Sequence, residues 1–239
     1  MNSVKHFKKN FFNKKYLDSK NFFILKNDFK FIFNFLNKSK KEFKNKKIID
    51  VGCGNGSFLY FFKMKYKNNE FYGLDIDKTL ISKNKKNKFL KDIKFYNGSC
   101  ENKILNKKFD LITMLGTINL FENQKKIIDN LLKNLKKNGL LIMNLYLNKN
   151  DIDINLFYKK YYNKNTYFKN SIFIKSMHRT KKYFLKKASK FIIMENIIPF
   201  KIRKSRNSMN MYTSLINGKN VRTNDLNLIY DQYLIVAKK

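Results

Sequence analysis

Residues 48–59, IIDVGCGNGSFL, restrict the fold more than any other stretch of this 239-residue chain. Ile48, Ile49 and Val51 form a short apolar, β-branched run, the composition of a buried strand. Gly52, Gly54 and Gly56 follow at alternate positions, and Phe58, Leu59, Phe61 and Phe62 come next. The pattern predicts strand, tight turn and helix. Glycine has no Cβ, so it adopts positive φ readily and lets backbone N–H groups approach a ligand. The first turn of a helix adds unpaired donors, so the turn is read as a binding surface. Spacing narrows the ligand. A dinucleotide fingerprint would need glycine where Ser57 stands, and the Gly-Lys-Ser/Thr of a P-loop is missing.

The run Asp50-Val51-Gly52-Cys53-Gly54-Asn55-Gly56 resembles, position for position, the acidic-x-Gly-x-Gly-x-Gly first motif of class I S-adenosylmethionine-dependent methyltransferases. The resemblance implies an α/β fold. Its sheet is Rossmann-like, seven-stranded and mostly parallel, in the order 3-2-1-4-5-7-6, with helices on both faces and an antiparallel last strand. It also implies S-adenosyl-L-methionine as cofactor, held at Asp50, Gly52, Cys53, Gly54 and Gly56.

Glu70 to Asp77, EFYGLDID, reads as a strand ending in acids. In a β-α-β unit the carboxylate at the second strand's tip lies beside the first strand's turn, where it can accept both ribose hydroxyl protons of an adenosine. Asp75 is that residue, and the placing of Gly73-x-Asp75 resembles the family's second motif, which implies Asp75 on the ribose and Ile76 as an apolar wall for adenine. Asp77 is read as a helix N-cap ahead of Thr79, Leu80 and Ile81. Ile93 to Tyr96 is the third strand, running into Asn97-Gly98-Ser99-Cys100-Glu101. The resembled family commonly carries an adenine-binding acid there. Ser99 occupies that place with Cys100 beside it, and Glu101 is a rival adenine partner. Phe109 to Gly116 is the fourth strand, and Leu115 and Gly116 sit where the family brings backbone near the methionine part of the cofactor.

Glu122 to Lys137 carries Ile127, Ile128, Leu131, Leu132 and Leu135 at helical spacing, predicting an amphipathic helix stopped by Asn138-Gly139. Leu140 to Leu147 is then a buried fifth strand. Residues 148–182 interrupt the alternation with aromatic residues and form a lid-like insertion, the place where relatives build a cover over the substrate. His178 within it is the candidate catalytic base, with a purely structural place as the alternative. Beyond it a helix from Tyr183, an extended stretch from Ile197 to Ile202, a hairpin turn at Asn217-Gly218 and a last strand from Tyr230 to Ala237 are expected.

Residues 1–46 are read as a basic, aromatic-rich helical lead-in, with Phe23, Leu25, Phe29, Ile32, Phe33 and Leu36 near helical spacing, and the resemblance implies that residues 47–239 are the methyltransferase domain. Lysine and arginine total 52 against 17 acids, a formal charge of +35. That balance suits an anionic partner such as RNA. However, only Arg179, Arg203, Arg206 and Arg222 are arginines, while Asn, Ile, Phe and Tyr are abundant. The excess is therefore read mainly as compositional bias. Two cysteines, Cys53 and Cys100, are too few for a disulfide framework or a thiolate zinc site. No metal is expected, nor a signal peptide or membrane span, and the expected setting is the cytoplasm.

The fourth strand also argues by omission. Enzymes that methylate exocyclic base amines carry an Asn/Asp-Pro-Pro-aromatic box at this point, and here Met114-Leu115-Gly116-Thr117 stands instead. The cytosine-C5 enzymes need a cysteine beside proline, and Pro199 has none nearby. The resulting expectation is methyl transfer to a small molecule, with a sugar or surface-polysaccharide precursor as the acceptor class. An RNA methyltransferase, and a non-catalytic S-adenosylmethionine-binding or interaction protein, are the alternatives.

Overall fold

A computed structural model describes residues 22–39, 43–101, 104–163, 166–194, 211–216, 219–224 and 231–239, with backbone alone over 158–163, 166–170, 211–216 and 219–224. Helices and strands alternate through the first two thirds: α1 (Asn27–Lys38), β1 (Lys47–Val51), α2 (Ser57–Lys65), β2 (Glu70–Asp75), α3 (Lys78–Lys86), β3 (Ile93–Asn97), β4 (Phe109–Leu115), α4 (Gln124–Lys133) and β5 (Leu135–Asn148). There follow β6 (Ile154–Asn163), β7 (Thr166–Ser176), α5 (Met177–Lys187), β8 (Lys190–Met194), β9 (Met211–Ile216), β10 (Lys219–Asn224) and β11 (Asp231–Lys238).

The main sheet runs β3-β2-β1-β4-β5-β11-β8. Its first five strands are parallel, and β11 lies antiparallel between β5 and β8. This is the expected seven-strand order. The alternation of side chains across β1 explains its central position. Ile48 packs on one face with α1 and α2, through Phe29, Ile32, Phe33, Leu36, Phe58, Leu59 and Phe62. Ile49 and Val51 pack on the other with Ile127, Ile128, Leu131 and Leu132 of α4 and Phe184 of α5. A strand buried on both faces must be apolar at successive positions, as this one is. Because β2 and β4 flank β1 on opposite sides, the chain reverses its winding there. A crevice opens outside the carboxyl ends of these strands.

The lead-in is part of this core. Phe33 of α1 stacks on Phe58 of α2 at 6.0 Å between ring centroids. Phe23, expected on the same apolar face, is half exposed because the helix begins only at Asn27.

The boundaries of α4 and α5 differ from expectation, α5 starting at Met177 rather than Tyr183 and so within the stretch read as the insertion. Helix α4 stops at Lys133 rather than Lys137, since Leu135 already pairs with Phe109 at the start of β5. Asn138 and Gly139 then form an irregularity within β5 instead of a helix cap. Asn138 has φ 64, and the pair exchanges backbone bonds with Lys239. The insertion is an antiparallel hairpin of β6 and β7, which joins the sheet where Leu147 and Asn148 pair in parallel with Lys175 and Ser176. The hairpin widens the sheet to nine strands. Near the end β9 and β10 pair with Ile216 opposite Lys219, so Asn217-Gly218 lies between them but outside the described residues, as does the stretch from Ile197 to Ile202.

Candidate functional site

A cleft of about 570 Å³ occupies the crevice at the tips of β1, β2 and β4, with α1 along its far side. Its floor is the glycine turn. Gly52, Gly54 and Gly56 have φ of 76°, 52° and 77°, the region where a side chain is strained. At Gly52 space forbids one as well, since a Cβ there would lie 2.3 Å from Thr117 Oγ1. The turn is tied to β2 by the Gly52 and Cys53 N–H groups, which donate to Leu74 O at 2.7 and 3.1 Å.

Asp75 links the two strand tips. Its Oδ2 accepts from Gly54 N–H at 2.8 Å and its Oδ1 from Asp77 N–H at 2.9 Å. These two bonds aim the carboxylate and use one site on each oxygen. A carboxylate has about four lone-pair sites, so acceptor capacity remains on the cleft side. Burial raises the pKa of Asp75 above the ordinary carboxylate value. Asp77 caps α3, accepting from the Thr79 and Leu80 N–H groups.

Asp50 is only 3% exposed and accepts from Thr113 Oγ1 at 2.7 Å through Oδ1. Its pKa is pushed up to about 7, first by burial and further by the nearby carboxylates Asp75 and Asp28, while the Thr113 hydroxyl works the other way.

Among the residues expected to bind a cofactor, Asp50, Gly52, Cys53, Gly54, Asp75, Ile76, Ser99, Cys100, Leu115 and Gly116 all line this cleft. Gly56 does not. It is the residue before α2, and a Cβ on it would meet Leu90 and Phe95, so its place is in the turn's packing. Ser99 Oγ accepts from Glu101 N–H at 3.2 Å, and Glu101 itself is not a lining residue. Cys53 and Cys100 are free thiols whose pKa burial raises, that of Cys100 to about 12. His178 is not brought to the cleft. It stands exposed on the first turn of α5, close to Asp151.

The far end of the cleft holds residues the motif reading passed over: Lys26, Asp28, Phe29, Phe121, Asn144 and Gln232. Asn144, 1% exposed within the buried part of β5, donates from Nδ2 to Asp28 Oδ2 at 2.9 Å, and its Oδ1 accepts from Gly116 N–H. The sequence signal was this single amide within the run from Leu140 to Leu147.

Fold and cleft together define a Rossmann-like protein with an open cleft between a glycine turn and a carboxylate. A family model described as a methyltransferase domain matches residues 42–212, and the chain belongs to this family, the class I S-adenosylmethionine-dependent methyltransferases. It is 32% identical over 101 residues to malonyl-[acyl-carrier protein] O-methyltransferase 2 of Ilyobacter polytropus, covering 41% of this chain and 39% of that protein. It is 30% identical over 108 residues to the ribosomal protein L11 methyltransferase of Fusobacterium nucleatum, covering 43% of this chain and 33% of that one. The chain thus spans well under half the length of these two curated relatives. A solved S-adenosylmethionine-dependent methyltransferase from Clostridium acetobutylicum shares the fold with TM-score 0.59 and 16% identity, covering 95% of this chain and 97% of that one.

Proposed function

We propose that this protein transfers a methyl group from S-adenosylmethionine to a small molecule, with a sugar or surface-polysaccharide precursor as the acceptor class. The observation that carries the cofactor reading is Asp75 bridging two strand tips beside an open glycine turn. Its remaining acceptor capacity suits the vicinal hydroxyls of a ribose. Ile76 offers an apolar wall, and Ser99 and Cys100 border the adenine end. The Asp50 carboxylate, buried and bonded on one oxygen, suits a positively charged group.

When bound, S-adenosylmethionine supplies a methyl already activated on a sulfonium. The chain's own work is to hold the acceptor in line with it and to keep water out, and such positioning lowers barriers by as much as ~7–11 kcal/mol in favourable systems. Leu115, Gly116 and Thr117 border the cleft where a nucleobase enzyme would carry its proline-rich box, which favours another kind of acceptor. Asp28 and Asp50 line the cleft, whereas His178 stands away from it. Any proton leaving the acceptor therefore has a carboxylate as its nearest base in this reading.

Calorimetric titration with S-adenosylmethionine tests the cofactor, and absence of binding overturns the reading. Labelled methyl transfer into a fractionated cell extract tests the acceptor. Label in a small, neutral, glycosidase-sensitive product supports the sugar class, and label in RNA or protein overturns the small-molecule reading.

A further inference from the structure

Helix α3 packs beside the glycine turn, and one residue on its inward side breaks the pattern of an amphipathic helix. Leu80, Ile81 and Asn84 are its buried residues, while Lys78, Thr79, Ser82, Lys83, Lys85 and Lys86 are exposed. A core-facing stripe of this spacing asks for an apolar side chain at its last position. Asn84 stands there instead, only 4% exposed. A buried amide is costly unless it is bonded, and Asn84 Nδ2 donates to Gly54 O at 2.8 Å, from 30 residues further along the chain.

Gly54 is thereby held on both sides. Its N–H donates to Asp75 Oδ2 at 2.8 Å, and its carbonyl takes the Asn84 amide. The contacts close into a ring. Asp75 Oδ1 accepts from Asp77 N–H, the Asp77 carboxylate caps α3 through the Thr79 and Leu80 N–H groups, and α3 carries Asn84 back to Gly54. A trans peptide sets its C=O and N–H on opposite sides, so fixing the Gly54 carbonyl also fixes the direction of the Asn55 N–H. Asn55 lines the cleft, and among the described residues nothing accepts from that N–H. Asn84 itself is not a lining residue.

We propose that Asn84 is a positioning residue for the cleft: its amide sets the Gly54–Asn55 peptide, turns the Asn55 N–H to the ligand and keeps Gly54 N–H on the Asp75 carboxylate. The effect on ligand affinity rests on the S-adenosylmethionine reading above, and the effect on the turn does not. A leucine at this position would complete the apolar stripe of α3 and leave the Gly54 carbonyl without its donor.

Asn84→Leu is therefore the variant that separates packing from positioning. Exchange of backbone amides is followed by NMR on the unliganded chain, and S-adenosylhomocysteine binding is measured by calorimetry, with thermal melts to verify folding. The Gly54 amide should exchange about tenfold faster and S-adenosylhomocysteine should bind about tenfold more weakly, the scale of loss when a polar group is left without its partner. The Gly52 and Cys53 amides, bonded to Leu74 O, should stay as protected as in the wild-type chain. Asn84→Gln carries the same donor on a longer arm and should recover part of both effects. Faster exchange at Gly52, Cys53 and Gly54 alike overturns the proposal, because Asn84 then only packs α3. Unchanged exchange at Gly54, or unchanged affinity once the Gly54 amide is released, also overturns it. Should the wild-type chain not bind S-adenosylhomocysteine, it is the cofactor reading that fails, and exchange at Gly54 alone decides whether Asn84 sets the turn. If Asn84→Leu does not fold, Asn84→Asp, which keeps the shape and lacks the donor, replaces it with the same outcomes expected.

Discussion

Gly52 and Asp50 make separable predictions at the scale of single residues. Gly52→Ala places a methyl where Thr117 Oγ1 is 2.3 Å away, at a φ of +76°. The strained backbone alone costs of order 1–3 kcal/mol, so a lowered thermal midpoint together with loss of nucleoside binding is expected. An unchanged calorimetric affinity would contradict the turn's part in the cleft. Asp50 has a folded pKa of about 7 against an ordinary 3.8. The folded chain therefore holds a proton that the unfolded chain has released, and between these values stability falls as pH rises. At 1.36 kcal/mol per unit, the cost by pH 7 is at most about 4 kcal/mol. Asp50→Asn keeps the acceptor for Thr113 and removes the charge. It should be more stable than wild type at pH 8 and level with it near pH 4, as read from thermal melts. Equal midpoints at both pH values would remove Asp50 as the source.

How far the site could be read from the sequence also depends on individual residues. Gly52, Gly54 and Asp75 were legible because each belongs to a contiguous strand-turn pattern whose geometry is local. Asp28, Asn144 and Gln232 were not. They come from three segments that meet only after the sheet has formed, and Asp28 and Asn144 are 116 residues apart in sequence. His178 was the candidate base for its chemistry, but a residue's type says nothing about which way a helix faces.

At the scale of elements, α1 is a structural member of the sheet's cover. Leu36 is fully buried against α2 and the central strands, so Leu36→Ala is expected to cost 2–5 kcal/mol in a denaturant titration with unchanged slope. The hairpin depends on fewer bonds. At its root the Phe173 carbonyl accepts from Asn119 Nδ2 at 2.8 Å and Gln124 Nε2 at 2.7 Å. Replacing both amides by leucine should raise amide exchange in β7 and leave β1, β2 and β4 protected, and uniform exchange across the sheet would contradict this division. The boundary of α4 was misread because Asn-Gly serves both as a helix stop and as a strand irregularity. Local sequence cannot tell these apart when the deciding partner is Lys239, about a hundred residues away. The strand order, by contrast, came from the family resemblance of the glycine motif, and short right-handed crossovers between alternating elements agree with it.

For the whole molecule, the question is whether a charge of +35 is functional. If it reflects composition, binding to single-stranded RNA should be weak and should fall with salt at a slope of about −0.7 per phosphate contacted, disappearing near physiological ionic strength. Sequence-selective affinity that survives there would favour the RNA methyltransferase reading.

The carboxylates lining the cleft bear on turnover as well as on recognition. A donor that has given up its methyl has also given up the positive charge on sulfur. The attraction that drew it in is weakened by the reaction itself. On the proposed reading, the carboxylates hold the spent donor less strongly than the fresh one.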